Sequence, residues 1–140
     1  MIETDTIVAL LLDMFTFSPV PMYISMAGPH ARYLQVNDAY LALVGYSWEA
    51  LRDQDMTSAG AAIHSPERDR RMQMLAEHGS YSQEEATIRH ADGRLFYCLI
   101  SARRATIDGE SYDVEIFLDI TERKRLEREI ESYLRHGTAR

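Results

Sequence analysis

The residues of this chain that could do chemistry are few and scattered. Five histidines, His30, His64, His78, His90 and His136, fall in separate segments. None is spaced from another as His-x-x-x-His, which would put two imidazoles on one helical face for a metal. The single cysteine, Cys98, cannot form an internal disulfide or a multi-cysteine zinc site, and its isolation fits a reducing compartment. There is no Gly-x-Ser-x-Gly elbow for a serine nucleophile and no glycine loop to cradle phosphate. Glu85 and His90 are the nearest approach to an acid/base pair, and their setting reads as a solvated strand end. These residues point away from catalysis and towards binding or interaction.

The bulk properties narrow the class. The chain has 140 residues, 46% of them apolar, enough for one ordinary core. A net charge of −7 gives no electrostatic reason to seek nucleic acid or an anionic membrane. The N-terminal residues Met1-Ile2-Glu3-Thr4-Asp5 are acidic where a secretory signal would be basic. No apolar run approaches the ~20 residues that span a bilayer. The expectation is a soluble, cytoplasmic, non-catalytic protein.

The elements follow from caps, turns and periodicity. Residues 4–15 read as a helix with Ile7, Leu10, Leu11 and Met14 on one stripe, ended by Ser18-Pro19-Val20-Pro21. Met22–Ala27 and Arg32–Val36 read as strands about a Gly28-Pro29 turn. Asn37 caps a helix over Asp38–Val44 that Gly45 stops, and Ser47 caps a turn over Trp48–Arg52. Residues 53–63 read as irregular, with the small run Ser58-Ala59-Gly60-Ala61-Ala62. Ser65 and Pro66 open a longer helix that Gly79 closes, with Met72, Leu75 and Ala76 on one face. Asp92-Gly93 and Asp108-Gly109 then separate strands at Tyr81–His90, Leu95–Ala105 and Tyr112–Ile120, an antiparallel meander. A charged helix runs from Glu122 to about His136. The fold class is α+β, one antiparallel sheet with helices on one face.

Two segments of this pattern carry chemistry of their own. On the last strand Asp113, Glu115 and Phe117 share one side, and Val114, Ile116, Leu118 and Ile120 the other. An unpaired buried carboxylate is expensive, so the strand is expected to twist and carry Glu115 to solvent or to the N-terminal helix; turned inward, it would need a donor or a ligand. At the exit, Asp119 and Glu122 are spaced as a capping box and Thr121 offers a second cap. Arg123, Leu126, Ile130 and Tyr133 follow a spacing that fits a coiled-coil seam, with Arg125–Glu129 and Glu131–Arg135 as i,i+4 pairs. A lone helix of about 15 residues is marginal in water, so it needs a partner.

Four motifs in register carry a family resemblance. Val36-Asn37-Asp38-Ala39-Tyr40-Leu41-Ala42-Leu43-Val44-Gly45-Tyr46-Ser47-Trp48-Glu49-Ala50-Leu51 resembles the PAS domain family, of bacterial signal-transduction proteins among others. His64-Ser65-Pro66-Glu67-Arg68-Asp69-Arg70 is similar to the opening of that family's long helix, with Ser65 inserted. Asp92-Gly93-Arg94 resembles its turn between the third and fourth strands, and Asp119-Ile120-Thr121-Glu122-Arg123-Lys124 its terminal Asp-Ile-Thr signature. Arg52 departs from the pattern, standing where the family usually has glycine.

The resemblance implies a PAS fold, a five-stranded antiparallel sheet of order 2-1-5-4-3 cupping a pocket. It divides the chain into an N-terminal helix (1–16), a core (17–121) and a C-terminal helical extension (122–140). It implies a pocket lined by Tyr40, Leu43, Met72, Leu75, Ala86, Ile88, Phe96, Cys98, Ile100 and Phe117. Three readings of the cup stay open: a sensor site for a small apolar or amphipathic ligand, a protein-interaction module with a filled core, or a small enzyme on a cup-shaped scaffold. Haem in this family is held by a histidine within the long helix; His64 and His78 flank that helix here, so haem is not expected. Photoactive flavin needs a cysteine in the helical segment, and residues 53–63 have none. The resemblance further implies a homodimer built on Ile7, Leu10, Leu11, Met14, Leu126, Ile130 and Tyr133. Asp119 and Thr121 would couple it to an effector such as a histidine kinase or cyclase module. The sequence reaches Arg140 without such a module, so the expectation is either a stand-alone domain or a piece of a longer chain.

Overall fold

The computed structural model describes residues 1–28, 31–52 and 54–137. Pro29 and His30, named above, lie outside them, as do residues 138–140 of the C-terminal extension. Helix α1 (Thr4–Phe17) leads into strands β1 (Met22–Met26) and β2 (Tyr33–Val36). Helices α2 (Asp38–Val44), α3 (Trp48–Leu51), α4 (Met56–Ala59) and α5 (Pro66–His78) follow. Strands β3 (Ser80–Arg89), β4 (Leu95–Ile107) and β5 (Glu110–Asp119) form the meander, and α6 (Thr121–His136) leaves it. The strands make one antiparallel sheet, ordered β2-β1-β5-β4-β3, as expected. The last strand is central, paired with β1 over Met22↔Ile116 to Met26↔Tyr112 and with β4 over Cys98↔Asp119 to Ile107↔Glu110.

Local signals place most of these elements. Asn37 is wholly buried and caps α2 by accepting from the Tyr40 N–H at 3.0 Å. The same amide accepts from the Met22 N–H at 3.0 Å and donates to the Phe15 and Val20 carbonyls at 2.9 Å each. One side chain thus ties α1, the proline linker, β1 and α2 together. Gly45 ends α2 at φ 78, in the left-handed region, and the His90 ring presses so close that a Cβ would meet it at 2.5 Å. The Asp108-Gly109 turn has φ 51 and 84, both positive, the geometry a two-residue hairpin needs to match strand twist. Ser65 caps α5 through the Arg68 N–H at 3.1 Å, with Pro66 in its first turn.

Four details differ from expectation. Part of residues 53–63 is helical: Asp55 caps α4 by accepting from the Thr57 N–H at 3.0 Å, a local bond outweighing the small, turn-like composition. Helix α3 stops at Leu51 with Arg52 extended, at φ −58 and ψ 138, so the family's glycine is replaced by a different exit. Ala76 is exposed; the residues of α5 that reach the core are Leu75 and Arg71, with Met72 half-buried. Strand β3 shifts register between Tyr81 and Glu84 around Gln83 at φ 53, a bulge that lets Tyr81 and Ala86 both face inward despite odd spacing.

The core lies between the concave face of the sheet and α2–α5. Tyr23, Tyr33, Tyr40, Val44, Leu51, Met56, Leu75, Ile88, Phe96, Ile100 and Phe117 are buried together. Helix α1 buries none of its residues.

Candidate sensory site in the cup

The cup is organised by rows of side chains across the sheet. In one row Tyr23 on β1 pairs with Glu115 on β5, Glu115 with Ala102 on β4, and Ala102 with Tyr81 on β3. Neighbouring strands are roughly 4.8 Å apart, so Tyr81 stands two strand spacings from Glu115. Ala102 between them is small enough for the Tyr81 side chain to reach across. The Tyr81 hydroxyl donates to Glu115 Oε1 at 2.9 Å, and the Tyr23 hydroxyl donates to Oε2. Glu115 is only 5% exposed. The strand does not twist it out to solvent: the two tyrosines supply the donors that inward burial requires.

The electrostatics follow from burial. Desolvation raises the Glu115 carboxyl above its ordinary range, against the two tyrosine bonds that lower it. Desolvation also raises Tyr23, Tyr40 and Tyr81, and pushes Tyr33 up to about 12. Every hydroxyl of the cluster therefore stays protonated and available as a donor. Tyr33 and Tyr40 share a 2.7 Å hydrogen bond, and their rings pack with Tyr23 and Phe117 at centroid distances of 5.2–5.8 Å. In the next row Arg104 grips Asp113 through Nε at 2.8 Å and a second nitrogen at 3.0 Å.

A cavity of about 20 Å³ remains at the centre, lined by Tyr23, Tyr33, Tyr40, Met56, Ala62, Arg68, Arg71, Met72, Ile88, Ile100, Glu115 and Phe117. Tyr40, Met72, Ile88, Ile100 and Phe117, expected in a pocket, thus share this lining. Leu75, Ala86, Phe96 and Cys98 are buried in the surrounding core, and Leu43 packs half-buried against it. Sequence reasoning does not single out Tyr23, Tyr33, Tyr81 or Arg71. The strands of the tyrosines are legible, but only the cross-strand register brings Tyr23 and Tyr81 to Glu115, and Arg71 reads as one more cation on α5. Cys98 pairs with Ala86 and Asp119 on the sheet, with its thiol pushed up to about 12 by burial. Glu85 bonds Lys124 at 2.9 Å, and His90 contacts Asp92 at 3.1 Å, so the two do not pair. His64 and His78 lie just before and at the end of α5. Among the described residues no group of three or more His, Cys, Asp or Glu side chains could hold a metal ion, and no helix is long and apolar enough to cross a membrane.

The exit is built around Tyr97 of β4. Its carbonyl accepts from the Ile120 N–H at 2.8 Å, and its N–H donates to the Thr121 hydroxyl at 3.0 Å. Its own hydroxyl accepts from Arg128 at 3.0 Å, and that guanidinium lies 5.3 Å from the ring centroid. The capping box does not form. Asp119 accepts from the Thr121 N–H at 2.9 Å, and Glu122 turns to Arg125 at 2.5 Å. Thr121 is spent on anchoring α6 to the sheet. The i,i+4 pairs Arg125–Glu129 and Glu131–Arg135 are present at 2.6 and 3.8 Å. Lys124 and Arg128 turn α6's polar side to the sheet, so Leu126, Ile130 and Tyr133 project away, 44–59% exposed.

Comparison with known proteins agrees with this geometry. The chain is similar to an RNA-binding Light-Oxygen-Voltage receptor at TM-score 0.79 and 17% identity, over 96% of this chain and 39% of that one. It thus spans about two fifths of that receptor. It resembles a PAS domain from a two-component sensor histidine kinase at 0.67 and 15%, over 84% and 99%. It also resembles the LOV domain of the Erythrobacter litoralis EL346 blue-light activated histidine kinase at 0.58 and 20%, over 74% and 97%. At these identities the likeness is one of fold. No curated protein matches the sequence. The sequence profile of one family, described as the PAS fold, matches residues 17–125; with the sheet order and the cup, this places the chain in the PAS fold family.

Proposed function

We propose that this domain is a non-catalytic sensory module. Its cup takes a small apolar or amphipathic molecule, and its C-terminal helix, paired with that of a second copy, carries the change to an effector such as a histidine kinase or cyclase module. The observation that carries the reading is continuity along β5. Glu115 and Phe117 sit in the cup, Asp119 follows on the same side, and Thr121 opens α6. A shift of β5 that accommodates a guest therefore moves the first turn of the helix. Any such switch needs a guest that binds two arrangements unequally.

The non-catalytic reading is supported by hydrogen bonding within the polar centre, where both Glu115 oxygens accept from tyrosine hydroxyls and Tyr33 and Tyr40 bond each other. The clustered, shifted groups themselves are what the rival reading, a small enzyme on a cup-shaped scaffold, would use. Cys98 lies on β4 rather than in the helical segment, which supports a cup without photoactive flavin. The net charge of −7 supports a partner other than nucleic acid. The dimer reading rests on the unburied stripe of α1 (Ile7, Leu10, Leu11, Met14) and on Leu126, Ile130 and Tyr133. Light scattering tests it: the wild type should have a dimer's mass, and Leu126→Glu with Ile130→Glu a monomer's. A wild-type monomer or an unchanged double variant removes the pairing. A second reading, an interaction module with a filled core, is favoured by the small size of the cavity.

A further inference from the structure

Arg71 is out of place for a surface-facing helix. It lies on α5 with only 6% of its surface exposed, and its Nε–H has no hydrogen-bond partner among the described residues. Arginine stays charged in proteins; the Arg71 charge is answered by Glu115 and by a hydrogen bond with Tyr81, which leaves the Nε–H as the unmet donor. An unmet donor on a buried charge costs more than a neutral one. The obvious acceptor nearby is taken, since both oxygens of Glu115 receive tyrosine hydroxyls. Arg68, one turn earlier, lines the same cavity. The rest of the lining includes the apolar side chains of Met56, Met72, Ile88 and Phe117.

We propose that the cup is a site for a small monocarboxylate, whose carboxylate accepts from Arg71 Nε and whose short apolar body lies against Met56, Met72 and Phe117. The assignment rests on the sensory reading and names the chemical class of its ligand. The unfilled valence is a donor, so an acceptor is called for. A planar carboxylate suits a guanidinium edge. A phosphate would bring a second negative charge and further acceptors into a cavity with one unmet donor. A cavity of about 20 Å³ admits roughly one water-sized group, enough for one carboxylate oxygen. Methionine, unbranched and adaptable, is the side chain that can yield the rest, and Met56 and Met72 both line the cavity.

The test is a titration of the ¹⁵N-labelled protein with butyrate, butyramide and n-butylamine, three probes of one shape. Butyrate should shift the amides of residues 68–72 and 113–117, binding about tenfold or more tightly than butyramide. Arg71→Gln should erase that preference. If Arg71→Gln does not fold, Arg71→Lys, which keeps the charge but loses the planar edge, should narrow it. Butyramide binding as well as butyrate, butylamine binding better, or a preference untouched in the variants would overturn the carboxylate assignment while leaving a pocket. Failure of all three probes to shift the cup resonances would overturn the pocket reading with it.

Discussion

Replacing Glu115 by glutamine isolates the energetic weight of the buried carboxyl. Glutamine keeps the shape and can still meet both tyrosines, accepting from one hydroxyl and donating to the other. What it removes is titration. The Glu115 carboxyl is raised from an ordinary value of 4.5, with burial as the largest cause. The folded state therefore holds a proton that the unfolded chain releases as pH rises above 4.5. Stability from the protonated form is complete below that point and is lost as pH climbs through the raised value. Within that window the wild type should lose stability relative to Glu115→Gln by about 1.4 kcal/mol per pH unit. Above it the difference should level off. Arg71, Asp113 and Arg104 are common to both proteins, so their contributions cancel to first order. Urea unfolding followed by Trp48 fluorescence, at unit steps from about pH 4.5 to about pH 8.5, gives the two curves. Parallel curves, or a wild type gaining on the variant as pH rises, would refute the reasoning. The second outcome would mean that Arg71 and the tyrosines outweigh burial and hold Glu115 ionised.

Three further outcomes follow from single side chains. Asn37→Ala strips two N–H groups, one buried and one half-buried, and two carbonyls of their partners and should cost about 3 kcal/mol in urea unfolding; a loss no larger than that of an exposed helix cap would show the four bonds are not all made. Gly45→Ala should cost about 2 kcal/mol from its left-handed φ and the His90 ring. Adding His90→Ala should recover part of that loss, and strict additivity would remove the contact from the explanation. Thr121→Val should cost about 1 kcal/mol and speed amide exchange at Tyr97 and in the first turn of α6 without affecting β1 and β2; uniform acceleration across the sheet would deny Thr121 its anchoring role.

What the sequence disclosed was set by range. Asn37, Gly45, Ser65 with Pro66, and the two Asp-Gly pairs act within a few residues of themselves, so the elements could be placed from them. The sheet order came from the family resemblance rather than from any local signal. The cup was legible as an apolar lining but not as a polar centre. Tyr23 and Tyr81 lie 92 and 34 positions from Glu115, and only the strand register brings them there. Ala102, which permits the longer reach, has no chemistry to draw notice. Arg71 reads in sequence as one more cation on a charged helix. At the exit, Asp119-Ile120-Thr121-Glu122 has the spacing of a cap, but the Tyr97 backbone outbids it for the threonine hydroxyl.

The two faces of α6 differ in physical kind. Its sheet-facing side rests on the Lys124–Glu85 ion pair and the Arg128–Tyr97 contact, while its far side offers hydrocarbon. Added salt weakens the first as the Debye length shrinks from roughly 8 Å at physiological ionic strength to roughly 3 Å at 1 M, whereas cooling weakens the second. Ionic strength and temperature are thus independent handles, one on how firmly the rod is seated and the other on what it can grasp.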